Sequence, residues 1–308
     1  MVNGEWIDRF GFRSLFTVLF LVYHLYSGKQ ERAFMKFQYL GTAAAEGIPA
    51  LWCDCERCRK SREAGGRALR TRSQALIDGV LLIDFPADTL KHIYDNRIDL
   101  LNIRDCLVTH THMDHLYPED ISMLQPGFSH APDDYCLTFY GSDKVGERIA
   151  GPLSRAGKHG AFREVKVFEP LSVGKYEVTA YPAIHDPGAG PVFYGISDGE
   201  KRVLYAHDTH YFHDDVWANW AATKPRFDLV SLDCTNACLP LNYVGHMGLA
   251  ENAQVRRRML EEGYADENTV FVCNHFSHNA THVVYDDFVP IAAREGFLVS
   301  WDGMTLTV

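Results

Sequence analysis

His110-Thr111-His112-Met113-Asp114-His115 constrains this chain more than any other stretch. It packs four potential metal-binding side chains into six residues, directly after the apolar run Cys106-Leu107-Val108. A strand that ends in such a cluster holds its ligands on a rigid stem while the following loop wraps a metal. Imidazole nitrogens and a carboxylate oxygen suit zinc, manganese or iron. The fold must therefore bring further ligands to the edge where this strand ends.

The rest of the chain supplies them in the same way. His185 follows Tyr181-Pro182-Ala183-Ile184, Asp208 follows Val203–Ala206, and His275 follows Val270-Phe271-Val272-Cys273-Asn274. Each is a ligand-type side chain just past an apolar run, where strand-end loops gather along one edge. The set divides sensibly. His110, His112 and His185 would bind one divalent metal, and Asp114, His115 and His275 a second. Asp208 would bridge them, since one carboxylate has an oxygen for each ion. Two such metals can share a hydroxide and stabilise both the entering and the leaving oxygen. Zinc and manganese both suit these N/O ligands. His210 and His213 add imidazoles near Asp208.

Composition sets the frame. The chain has 308 residues, 46% of them hydrophobic and 23% charged, as in a globular protein with a full core. A formal net charge of -10 repels phosphate backbones and anionic membranes, so no nucleic-acid partner is expected. Eight Cys are too few for a disulfide scaffold and fit a reducing, cytoplasmic setting. The apolar run Leu15–Tyr26 is too short for a stable membrane span. Residues 1–34 read as an N-terminal extension: an over-extended start, a surface-packing helix or a secretion signal. Residues 35–308 read as one domain, and a homodimer is allowed for.

Strand patterns are expected at Phe37–Leu40, Asp105–Thr109, Leu137–Tyr140, Val165–Phe168, Tyr176–Ala180, Val192–Ile196, Val203–Ala206, Leu229–Leu232, Thr269–Cys273, Leu298–Trp301 and Thr305–Val308. Ala75–Ile83 reads as a hairpin with Asp78-Gly79 as a two-residue turn. Helical patterns are expected at Asp88–Asp95, Asp214–Ala222, Leu249–Glu262 and Val284–Glu295. Many strands, few helices and no charge-rich break favour an α/β (α+β) arrangement: two sheets face to face with helices outside.

HxHxDH, a distant His, a strand-end Asp and a late His together resemble the metallo-β-lactamase superfamily. That resemblance covers essentially Met35 to Val308 and implies an αββα sandwich of two mixed sheets, with a dinuclear metal site at one edge.

Cys53-Asp54-Cys55-Glu56-Arg57-Cys58 narrows the resemblance. Three thiolates at CxCx2C spacing suit a structural zinc, which needs one more ligand. His278, three residues after His275, is the candidate, so one loop would serve both sites. Within the superfamily this combination is similar to the PhnP-like phosphoribosyl cyclic phosphodiesterases. The matching stretches are Gly41–Ala50, the Cys cluster, Thr109–His115, His207-Asp208-Thr209, Asp233-Cys234, His275–His278 and Asp302-Gly303-Met304. His246 falls where that family has another active-site His, one that could donate a proton to the leaving oxygen or hold a phosphate oxygen. The resemblance implies a small phosphorylated substrate, a phosphoribosyl 1,2-cyclic phosphate, attacked by a metal-bridging hydroxide. Asp114 or His246 would manage protons. Arg70 and Arg72, from a basic stretch after the Cys cluster, are candidates for a terminal phosphate. A tRNA 3′-processing nuclease, a β-lactam or lactone hydrolase and a PqqB-like cofactor-biosynthesis protein share the fold and stand as alternatives.

Overall fold

A computed structural model describes residues 34–239, 245–280 and 283–308. The apolar run Leu15–Tyr26 lies outside the described residues. Met35–Val308 form one compact unit. Among the described residues no helix is long and apolar enough to cross a membrane.

Two seven-stranded mixed sheets stack face to face. The first contains β1 (Lys36–Gly41), β2 (Gln74–Ile77), β3 (Leu81–Ile83), β4 (Asp105–Leu107), β5 (Leu137–Gly141), β6 (Gly160–Glu164) and β14 (Thr305–Thr307), in the order β14-β1-β2-β3-β4-β5-β6. The second contains β7 (Pro170–Val173), β8 (Tyr176–Pro182), β9 (Val192–Ser197), β10 (Arg202–Ala206), β11 (Leu229–Asp233), β12 (Val270–Asn274) and β13 (Leu298–Val299), in the order β13-β12-β11-β10-β9-β8-β7. The expected sandwich with outer helices is the one the chain adopts.

The strand sequences explain the layering. Ala75 and Ile77 of β2, Leu81 and Ile83 of β3, and Val203 and Tyr205 of β10 join the core between the sheets. Their alternates point outward: Leu76 and Leu82 join a second cluster that also takes in Val145 and Ile149 of the helix Asp143–Ala156. On the other side, Leu204, Val230 and Phe271 pack with Trp217 and Trp220 of the helix Asp214–Thr223. With both faces covered, strands read as nearly continuous apolar runs rather than alternating ones.

Strands that lead into the site share a direction. β3, β4 and β5 run parallel, as do β10, β11 and β12. β8 and β10 are both antiparallel to β9, so β8 runs with β10. The carboxyl ends of β3, β4, β8, β10, β11 and β12 thus deliver their loops to one edge, where open sheets with covered faces place their ligands.

Local structure departs from the sequence pattern in several places. Residues 165–168 are not a strand; the chain pairs five residues earlier, at Gly160–Glu164 beside β5. The helix Asp143–Ala156 carries Gly146, Gly151 and Pro152, which hide it from propensity. Tertiary packing makes it: a Cβ on Gly146 would collide with the Phe162 ring. The hairpin turn has three residues between the last pair, Ile77↔Leu81, with Asp78 and Gly79 both at positive φ.

Trp220 sits among Tyr181, Phe212, Trp217, Phe227 and Tyr264, with ring centroids 5.2–5.7 Å away. Trp220→Ala should cost about 3–5 kcal/mol of stability in denaturant unfolding, because the surrounding rings cannot collapse into the space.

Candidate metal centre

The strand-end side chains meet. His110 Nε2 lies 3.0 Å from His112 Nδ1, and His185 Nε2 lies 3.1 Å from the same atom. His115 Nε2 lies 3.2 Å from His275 Nε2 and 3.3 Å from Asp114 Oδ2. Asp208 stands between the groups. Its Oδ2 is 2.8 Å from His115 Nε2 and 2.9 Å from His275 Nε2, and its Oδ1 is 3.6 Å from His185 Nε2. The structure therefore brings together all seven side chains of the expected two-metal set.

Hydrogen bonds behind the rings assign their tautomers. Thr109 Oγ1 donates to Asp84 Oδ1 (2.9 Å), so it accepts from His110 Nδ1 (3.0 Å). His115 Nδ1 donates to Asp84 Oδ2 (2.7 Å). Thr235 Oγ1 donates to the His275 carbonyl (2.8 Å) and accepts from His275 Nδ1 (2.8 Å). His185 Nδ1 donates to the Gly245 carbonyl, and His112 Nε2 to Asp186 Oδ2. In all five rings the hydrogen points outward and the bare nitrogen points inward. Each inward nitrogen faces another lone pair at hydrogen-bond distance.

Such an arrangement repels itself unless a cation sits within it. Burial pushes the His110 pKa well below its usual value, so that ring stays neutral. Burial also opposes a charged Asp208, yet the His275 and His115 imidazoles hold its carboxyl well below the usual range. Asp208 Oδ2 is buried and accepts no hydrogen bond among the described residues. A buried, unpaired carboxylate oxygen is costly. Burial opposes charge on His115 as well, and the Asp208, Asp84 and Asp114 carboxylates would protonate it. Two N–H groups cannot face one another at 3.2 Å, so the pair suits a metal in the proton's place. Ligand atoms about 2.0–2.2 Å from one metal stand roughly 3–3.5 Å apart, as these do. The donor set fits two divalent ions.

The cysteine cluster closes a separate site. Cys53, Cys55, Cys58 and His278 place four ligand atoms within 4.8 Å of one another. His278 Nδ1 lies 3.4 Å from Cys53 Sγ and 3.6 Å from Cys55 Sγ, spacings that suit tetrahedral zinc with Zn–S about 2.3 Å. Backbone N–H groups of Ala50, Cys55 and Cys58 donate to the three sulfurs. Burial works against a Cys55 thiolate, but the His278 contact and neighbouring donors bring its pKa down to about 6. These residues fit one structural zinc. Arg57, buried in the helix Glu56–Ala64, donates to the Ser277 carbonyl at 2.7 Å, which ties the cluster to the loop carrying His275.

His246 borders the site. Its Nδ1 is 3.0 Å from Asp233 Oδ2 and 3.8 Å from Asp208 Oδ1. Burial lowers its pKa, but Asp233 outweighs that and lifts it to about 9.

Arg70 and Arg72 need correcting. Arg70 is buried, donates to Thr42 Oγ1 and the Ser300 carbonyl at 2.8 Å, and stacks on Phe276. Arg72 donates to the Ala45 carbonyl and pairs with Asp88. Both guanidinium groups are engaged by the protein's own groups, Arg70 in the interior and Arg72 half-buried, and neither joins the metal ligands. His210 and His213 also stand outside the ligand groups found among the described residues.

Sequence reasoning missed Asp84 and gave Asp233, part of a matching stretch, no role behind the ligands. Asp84 accepts from Thr109 N, Thr109 Oγ1 and His115. Asp233 accepts from the backbone N–H groups of Asp208, Thr235 and Met247 and from His246. Each ends an apolar strand, β3 and β11, and that placement was the available signal. Asp84, Asp208 and His275 all adopt left-handed backbone, with φ of 65°, 50° and 61°. This costs of order 1–3 kcal/mol per residue and is held only where surrounding bonds over-determine it.

Comparisons with known proteins agree with this fold. Residues 76–262 match the beta-lactamase superfamily domain. A metallo-beta-lactamase fold protein, YhfI from Bacillus subtilis, is 19% identical with a TM-score of 0.64, covering 90% of this chain and 100% of its own. A diphosphatase from the PhnP family is also 19% identical, with a TM-score of 0.68 and coverage of 90% and 98%. Zn(2+)-bound PqqB from Methylobacterium extorquens is 20% identical, with a TM-score of 0.67 and coverage of 88% and 99%. No curated protein matches the sequence.

Elemental analysis of the purified chain should find about three metal ions, and Cys58→Ser should remove one of them and lower the melting temperature. Asp84→Asn should leave the fold intact and weaken metal binding by roughly 10–100-fold in chelator competition, because His115 loses the partner that sets its tautomer.

Proposed function

The chain belongs to the β-lactamase superfamily, and on that premise we propose that it is a metal-dependent phosphodiesterase acting on a small cyclic phosphate. The observation that carries this reading is the paired ligand set sharing Asp208, with five imidazoles presenting bare nitrogens inward. Two divalent metals, zinc or manganese, would supply Lewis acidity toward a phosphoryl oxygen and lower the pKa of bound water.

The chain's own groups account for the rest. His110, His112 and His185 would hold one ion, Asp114, His115 and His275 the other, and Asp208 stands between the two sets. Asp84 and Asp233 keep these groups in position as charge changes. His246 stands beside Asp208 with its Nδ1 bonded to Asp233, which leaves Nε2 to deliver a proton to the leaving ester oxygen. An imidazolium favoured by Asp233 suits that task. The likeness to a PhnP-family diphosphatase is in keeping with phosphoryl chemistry. The formal charge of -10 counts against a nucleic-acid substrate. A phosphoribosyl 1,2-cyclic phosphate remains the substrate that the sequence resemblance suggested, although Arg70 and Arg72 are not placed to hold its second phosphate.

A panel of cyclic ribose phosphates, cyclic nucleotides, open diesters, a lactone and a β-lactam, run on metal-reconstituted protein, tests the reading. Cyclic phosphates should be the best substrates; turnover of the lactone or β-lactam alone would overturn it. Asp208→Ala should lose metal and activity together. His246→Ala should keep its metal content and lower kcat by about 10²–10⁴-fold.

A further inference from the structure

A cavity of about 490 Å³ opens beside the metal centre. Its wall includes His246 and Thr235, which adjoin the metal ligands, and Glu46, Asn236, Ser277 and Asn279 further out. A diester held at the metal centre with its leaving oxygen beside His246 would extend its organic part into this cavity. None of these lining residues is a cation other than His246 at the inner end. The stretches that supply them, residues 41–56, 227–255 and 274–293, contain no Lys or Arg at all. One guanidinium reaches the lining, that of Arg57, but it is buried and donates to the Ser277 carbonyl. The outer wall instead carries a carboxylate. Glu46 Oε1 accepts from Asn279 Nδ2 at 3.1 Å and stands 3.8 Å from His278 Nε2.

That chemistry selects. A second phosphate at the outer end would face Glu46 with no lysine or arginine among the described lining residues to pair, a like-charge contact that discriminates strongly. Hydroxyl groups of a sugar would meet acceptors in the Glu46 carboxylate and both partners in the amides of Asn236 and Asn279. We infer that this cavity takes the uncharged, hydroxyl-bearing end of the substrate and excludes a second phosphate, with Glu46 as the specificity-determining residue. The inference rests on the cyclic-phosphodiesterase reading and narrows it: the substrate class is a cyclic phosphate of a free sugar or nucleoside. Cationic groups do occur elsewhere near the centre. Lys144 and Arg148 lie with Thr111 and Gly188 around a separate surface hollow, where Lys144 is paired to Glu147 at 2.9 Å.

The test compares ribose 1,2-cyclic phosphate with its 5-phosphate, in turnover and in calorimetric binding to the metal-loaded protein. The free sugar should be favoured by tenfold or more in kcat/KM and in affinity. Glu46→Lys should shrink or invert that ratio, and Glu46→Gln should reduce it less. Preference for the 5-phosphate in the wild type overturns the inference; loss of that preference in Lys144→Ala would place the second phosphate in the other hollow. A ratio unchanged by Glu46→Lys also overturns it. If neither compound is hydrolysed, the diesterase reading fails, and the binding ratio still decides which end the cavity accepts.

Discussion

The mutual opposition of bare imidazole nitrogens around Asp208 is the interaction on which the structure of the site depends. Five rings are turned so that their hydrogens are spent on Thr109, Asp84, Thr235, Asp186 and the Gly245 carbonyl. Their lone pairs then converge on one carboxylate. A protein gains nothing from such an arrangement in isolation, since it buries charge and sets acceptor against acceptor. Divalent cations at two foci would convert the repulsion into coordination. The geometry is legible as a metal centre because the outer hydrogen bonds leave no other sense to the inner distances.

Asp84 and Asp233 are the hubs of that outer layer, one from each sheet. Asp84 ends β3 and braces the ligands that follow β4. Asp233 ends β11 and braces Asp208, which follows β10, and His246, which precedes the helix Leu249–Glu262. Each sheet thus stiffens its own half of the centre. The left-handed backbone of Asp84, Asp208 and His275 shows how sharply the chain turns where strand gives way to ligand. The sandwich core tolerates that strain because two packed sheets fix the strand ends from below.

The zinc-type cluster extends the same logic outward. Cys53, Cys55 and Cys58 share the loop of His278 with His275, and Arg57 bonds the intervening Ser277. Phe276 pairs its backbone with Thr42 and Ala44. A four-residue segment is thereby clamped on both sides, with one His committed to each metal site. Arg70 stacks on Phe276 from beneath. The basic stretch after the Cys cluster therefore serves, in part, to hold this loop rather than to meet a substrate.

Sequence alone picked out the candidate metal-binding side chains that the fold brings together, because coordination needs particular side chains at strand ends and few other constraints put His and Asp there. It also determined the two-sheet layering, because strands buried on both faces must be apolar throughout. Tertiary structure decided what lies behind and beside the ligands. Asp84 and Asp233 look like ordinary strand-end acids until distant rings are folded against them. Arg70 and Arg72 look available until carbonyls and Asp88 claim them. The helix Asp143–Ala156, with its glycines and proline, exists because Val145 and Ile149 have a sheet to cover. The outer cavity, with the Glu46 carboxylate at its wall, is assembled from three separate segments. Local pattern reports what a residue can bond; only the fold reports which bonds are already taken.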